Sequence, residues 1–157
     1  MNILKVIFRA PRPGKITDMP ATVTRWWKRK NYSALTFFGY ILTSGDQIAD
    51  HLNSRFDSLK NHEMIHLRQA QNTHNSWMCF YARYLWYSLL AARYFRKLNN
   101  ASYYLNPFEM EAYLHQNDLS YLIGLDESGG ASGWREYAKM PLAERLTLMK
   151  EKYLRIE

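Results

Sequence analysis

The chain has 157 residues, 47% of them apolar, and a net charge of +7. That is the length of one domain, residues 1–157, with enough apolar side chain to bury a real core. The single Cys79 excludes a disulfide framework and a multi-cysteine metal site. The basic balance, with a pI near 9.5, fits a solvated basic surface better than a nucleic-acid partner, and none is expected.

Residues 1–8 read as a short apolar strand, followed by Arg9, Pro11, Arg12 and Pro13. A secretory signal requires a longer apolar stretch and a small-residue cleavage site, so the expected location is the cytoplasm. The run Arg25-Trp26-Trp27-Lys28-Arg29-Lys30 sets four cations around two indoles, a composition suited to a peripheral membrane contact, to stacking on bases, or to a basic loop or helix end whose Trp residues pack inward. Residues 34–43 are aromatic and β-branched and have strand character, ended by Ser44-Gly45-Asp46. If that strand has an exposed edge, an extended peptide can add to it through main-chain hydrogen bonds. From 56 to 71 the periodicity becomes helical, with Leu59, His62, His66 and Ala70 on one face.

That helix contains His62-Glu63-Met64-Ile65-His66, an HExxH pattern. Residues four apart on a helix lie one above the other, so His62 and His66 can present imidazole nitrogens to one metal ion. Glu63, one step round, can reach a water at that ion without binding the metal. Two imidazoles, a third protein ligand and an open position make a catalytic Zn2+ site, with the carboxylate as general base. The competing reading is an amphipathic helix with ordinary polar His side chains.

Residues 77–95 form a long aromatic and aliphatic helix. Arg83 and Arg93 lie within it and its Tyr and Trp are scattered along its length, which argues for a largely buried helix rather than a membrane span; an interfacial membrane helix is the alternative. Asn106-Pro107 then marks a helix start, Asn at N-cap and Pro at the first helical position. This next helix carries Glu109 and Glu111, either of which can supply a third ligand. Glu109 also sits where a capping box places its carboxylate, and Glu111 where a solvated helix-start acid would be. With Phe108, Ala112, Leu119 and Ile123 read as one apolar stripe, the two acids flank it on opposite sides. The glycine-rich stretch 126–133 reads as a loop, and 141–155 as a terminal helix docked through its Leu and Met side chains.

An HExxH helix followed by a helix bearing Glu, with Ala three residues beyond it, resembles the gluzincin metallopeptidases, the group that includes thermolysin. More closely, Asn61 to Gln69, the aromatic helix and Pro107-Phe108-Glu109-Met110-Glu111-Ala112-Tyr113 resemble a family of small uncharacterised bacterial proteins, common in Bacteroidetes and regarded as zinc metallopeptidases. The likeness covers roughly residues 35–122. It implies His62, His66 and Glu109 as zinc ligands, Glu63 as base, and a peptide or protein substrate. Tyr113 departs from the pattern, since many gluzincins have Asp or Asn there to orient a ligand His. Tyr103, Tyr104, Tyr113 and His115 are candidates to stabilise an oxyanion.

The expectation is therefore an α+β, mainly helical domain, with a small N-terminal β-sheet packed on the HExxH helix and a Glu-bearing helix, acting as a zinc-dependent metallopeptidase. The alternative is a non-catalytic binding protein on the same scaffold, using its basic and aromatic surface for a peptide, an acidic partner or a membrane.

Overall fold

A computed structural model describes residues 3–24, 33–94 and 100–150. The elements run in the order α1 (Ile3–Arg9), a 3-10 turn (Pro13–Lys15), β1 (Ala21–Val23), β2 (Ala34–Phe37), β3 (Tyr40–Thr43), α2 (Asp46–Ser54), α3 (Ser58–Asn72), α4 (Trp77–Tyr94), α5 (Ala101–Tyr104), α6 (Pro107–His115), α7 (Tyr121–Glu127), α8 (Trp134–Lys139) and α9 (Leu142–Lys150). The architecture is α+β and mainly helical, with the small sheet near the N-terminus, as expected. The Arg25–Lys30 run and the residues beyond Lys150 lie outside the described residues.

Strand order is β1-β3-β2, with β1 parallel to β3 and β2 antiparallel to it. Residues 34–43, read from sequence as a single strand, instead form a hairpin. Phe37 pairs with Tyr40, and between them Phe38 and Gly39 have φ of 47° and 90°, the left-handed pair of a two-residue turn. Glycine suits position 39 because a φ of 90° is one that side chains with a Cβ rarely adopt; a Cβ there would also push aside the end of the Ile16 side chain, 2.8 Å away. Phe38 tolerates its backbone because it is buried against Trp77 and Tyr81, and its N–H donates to Tyr81 Oη at 3.2 Å. The same hydroxyl donates to the carbonyl of Thr36 at 3.1 Å. The first eight residues also differ from expectation: from Ile3 they are helical, and Val6 and Ile7 pack on the core as successive residues of a helix can, without needing a partner strand.

The helix α3 starts at a good cap, Asp57, whose carboxylate accepts from the Lys60 N–H at 2.9 Å. It then runs through the middle of the molecule between β2, α4 and α6. Its central position explains an unusual composition, for Asn61, His62, Glu63, His66 and Gln69 are all buried alongside Ile65, Leu67 and Ala70. Phe80 of α4 and Phe108 of α6 meet edge to face at 5.1 Å in the main core, which also holds Trp77, Trp134, Ile41 and Leu52. Complete burial of each Phe contributes about 2 kcal/mol. A second cluster of Ala91, Leu105, Met110 and Met149 docks α9 through its described part.

Two apolar expectations change. The helix α6 ends at His115, so Leu119 and Ile123 lie off its stripe, and both are exposed. The helix α4 is not largely buried: Met78, Leu85, Trp86, Leu89 and Tyr94 are each more than half exposed. Even so, among the described residues no helix is long and apolar enough to cross a membrane.

Candidate metal centre

Four buried polar groups on α3, Asn61, His62, His66 and Gln69, meet α6 across the core. Asn61, just before the HExxH pattern, donates through Nδ2 to the carbonyls of His115, Gln116 and Asp118 at 3.0–3.2 Å. It thereby collects the orphan carbonyls at the end of α6 and fixes that helix against α3. At the other end Asn106 caps α6 by accepting from Phe108 N–H at 3.1 Å, while its amide donates to Tyr84 O and Ser88 Oγ of α4, both at 2.9 Å. Between these anchors Glu109 turns into the space beside His62 and His66.

These three residues form a group that could hold a metal ion, with one ligand atom of each within 4.8 Å of the others and all three residues buried. Glu109 Oε2 stands 3.4 Å from His62 Nε2, and Oε1 stands 3.4 Å from His66 Nε2. Both distances exceed a good hydrogen bond. Oε1 accepts from Tyr84 Oη at 2.6 Å, whereas Oε2 is buried with no hydrogen-bond partner among the described residues. A buried carboxylate oxygen without a hydrogen bond, facing the His62 imidazole while its partner oxygen faces that of His66, is an expensive arrangement unless a cation joins them. The capping-box role open to Glu109 from sequence is not used, because its carboxylate points to Tyr84 and the two His rings.

The imidazoles are oriented by side chains that sequence reading did not single out. Gln69 Nε2 donates to Phe108 O and to Glu111 Oε2, both at 2.8 Å. Its Oε1 must therefore face His66 Nδ1, 2.8 Å away, and His66 must donate from Nδ1. That turns Nε2 towards Glu109. Gln116 Oε1 stands in the same relation to His62 Nδ1 at 3.1 Å. Two Gln amides thus perform the orienting task for which Tyr113 offers no carboxylate. Tyr113 instead packs its ring against His62, centroids 4.7 Å apart. The three-residue step from His66 to Gln69 was available in the sequence; Gln116 lies past the helix end, so periodicity could not place it.

Glu111 faces away from this group. Its oxygens accept from Gln69 Nε2, Tyr121 Oη at 2.7 Å, Ser132 Oγ at 2.8 and 2.6 Å, Gly133 N–H at 2.6 Å and Trp134 N–H at 3.0 Å. The glycine-rich stretch is accordingly a clasp rather than a cover: its backbone wraps a buried carboxylate and ties α7 and α8 to α6.

Glu63 is buried on the same side of α3 as the two His and accepts from Thr36 Oγ1 of β2 at 2.5 Å. A cavity of about 380 Å3 opens onto His62, Glu63, His66 and Glu109. Its other walls include Leu35, Phe80, Tyr81 and Tyr103, with no Lys or Arg among the described residues lining it. Of the four oxyanion candidates, only Tyr103 lines this cavity. His115 stacks on Tyr121 at 3.9 Å instead, and Tyr104 packs beside the second apolar cluster.

Burial by itself would lower the pKa of His66, but the Glu109 carboxylate outweighs it and raises the group from 6.5 to about 9. Burial would raise Glu109, and the two imidazoles, His66 first, hold it well below the usual carboxylate range. Without a metal, His66 is thus a cation at neutral pH. A metal ion that takes its Nε2 displaces that proton. Zinc titrated calorimetrically at pH 7 in buffers of different ionisation enthalpy is expected to release about one proton per chain, a value that declines as pH rises through about 9. Heats independent of buffer would contradict this. The same shift bears on stability: a folded pKa above the unfolded one stabilises fully below about 6.5, and that contribution disappears as pH rises through about 9.

Burial first, and then the charge of Glu109, push the Tyr103 phenol far above its ordinary range, so it remains a hydroxyl donor. Comparison of the chain with protein-family models, curated proteins and solved structures finds no match.

Proposed function

We propose that the protein is a zinc-dependent peptidase, with His62, His66 and Glu109 as ligands and Glu63 as general base. One observation carries this reading: the two Glu109 oxygens each face one imidazole nitrogen, the unsatisfied Oε2 at His62 Nε2 and Oε1 at His66 Nε2, both rings having their other nitrogen already committed, inside a cavity that also exposes Glu63. Two neutral imidazoles and one carboxylate form a donor set suited to catalytic zinc. When bound, zinc supplies Lewis acidity, making water acidic enough to lose a proton near neutral pH and polarising a carbonyl. The resemblance to gluzincins implies the same ligands and base.

The chain's own groups divide the remaining work. Glu63 accepts the proton of the attacking water and passes it to the leaving amine, held for that exchange by Thr36. Tyr103 donates to the oxyanion as it develops. The substrate lies along β2, an edge strand whose Ala34, Leu35 and Thr36 line the cavity. Because Phe37 and Leu35 exchange hydrogen bonds with β3, Ala34 turns its N–H and C=O outward, available to an extended peptide. The aromatic and apolar walls that the described residues supply favour an apolar side chain beside the scissile bond.

Zinc-loaded protein incubated with a mixed-sequence peptide library, with products read by mass spectrometry, is expected to cleave next to large apolar residues. A chelator should stop the reaction. A library left intact by protein that holds zinc would remove the peptidase reading.

A further inference from the structure

Independently of any catalysis, we propose that the outer face of α4 docks the protein onto an anionic lipid bilayer. Met78, Ala82, Leu85, Trp86 and Leu89 follow helical spacing along one side of α4, and all are exposed. At the start of the helix the strip continues onto α1, because Met78 and the exposed Phe8 line one groove. A contiguous row of large apolar side chains of this extent, on an 18-residue helix, marks a contact surface, whereas exposed Phe56, Leu119 and Ile123 lie off α4.

Charge selects the occupant. Between Glu63 and Glu109 the sequence contains no Asp or Glu, while Arg83 and Arg93 lie on α4 itself. Exposed Arg93 stands at one end of the strip, and exposed Arg9 and Arg12 follow Phe8 at the other. A second copy of the chain seated on this face would oppose one acid-free helix to another, placing cation against cation. An anionic bilayer satisfies both features: apolar side chains enter the headgroup boundary while Arg side chains pair with lipid phosphate. No helix among the described residues can cross a membrane, so the contact is peripheral. The opposite face of α4, through Phe80 and Tyr84, lines the metal-centre cavity, which places that cavity one helix diameter from the lipid.

The full chain is sedimented with vesicles of phosphatidylglycerol mixed into phosphatidylcholine, and with vesicles of phosphatidylcholine alone. Leu85→Gln, Trp86→Gln and Leu89→Gln are combined in one protein; a control combines Leu119→Gln and Ile123→Gln, also exposed apolar sites but off α4. All are surface positions, and circular dichroism of each variant verifies that it folds. The expected result is binding to the anionic vesicles, weakened by added salt, roughly tenfold weaker in the triple variant and unchanged in the control. Failure to bind anionic vesicles, or equal binding by the triple variant and the wild type, overturns the proposal. So does a dimer that the triple variant abolishes, which would assign the face to a second copy.

Discussion

Glu63→Gln is expected to lower peptide hydrolysis by about 1000-fold while leaving the zinc content at that of the wild type. The two halves of this expectation follow from different observations. Glu63 lies beside the ligand group but outside it, since the clustered ligand atoms come from His62, His66 and Glu109. Removing its charge therefore leaves the metal's donors intact. The substitution is nearly isosteric, and the Gln carbonyl oxygen can still accept from Thr36 Oγ1 as Glu63 does at 2.5 Å, so β2 remains tied to α3. What disappears is the capacity to take a proton at neutral pH. Initial rates compared at equal zinc occupancy measure the effect. Wild-type rates from a zinc-loaded Glu63→Gln protein would end the assignment of Glu63 as base, and loss of zinc would show it to be a ligand instead.

Glu111→Ala is expected to cost the largest amount of stability, at least about 3 kcal/mol, without touching a metal ligand. The carboxylate is fully buried, and it is matched by five donor groups rather than by a cation among the described residues. Removing it strands the Gly133 and Trp134 N–H groups and two hydroxyls in the interior, and takes one of its two acceptors from the Gln69 amide. Each buried donor left without an acceptor costs roughly 1–3 kcal/mol, although the loop can relax enough for some to reach water. A domain of this size has a total stability on the order of 5–15 kcal/mol, so the loss is a large fraction of it. Denaturant unfolding measures the difference. A second consequence distinguishes this clasp from a generic core position: Gln69 keeps the Phe108 carbonyl but loses one of the two acceptors that fix its amide, so His66 is held less firmly and zinc affinity falls as well. A change below about 1 kcal/mol would mean that the clasp contributes little.

Much of this arrangement was legible in the sequence because it rests on local chemistry. The HExxH spacing placed His62 and His66 on one buried face, and Asn106-Pro107 located the start of α6 where the cap is found. Glu109 and Glu111 do point to different places, one to the His pair and the other into the clasp, although the stripe through Leu119 and Ile123 expected to separate them does not form. What sequence could not supply were features created by tertiary packing. The Phe38-Gly39 turn lacks the usual Asn-Gly signal, and its backbone is stabilised by Tyr81, 43 residues away. The residues from Ile3 to Arg9 are mostly apolar and compatible with a strand, but among the described residues no strand pairs with them, and helix satisfies the backbone locally. The orienting role of Gln116 depends on the chain turning at the end of α6, which a helical projection does not describe. The exposure of α4 was missed because an apolar, aromatic sequence reads as core whether or not anything covers it.

The central claim is that His62, His66 and Glu109 hold one metal ion. Its most direct test is elemental analysis of the purified protein after incubation with zinc and desalting, beside His62→Ala and Glu109→Ala. The account predicts about one zinc per chain in the wild type and a large loss in each variant. A wild type that retains no zinc, or a Glu109→Ala protein that retains it in full, would contradict it.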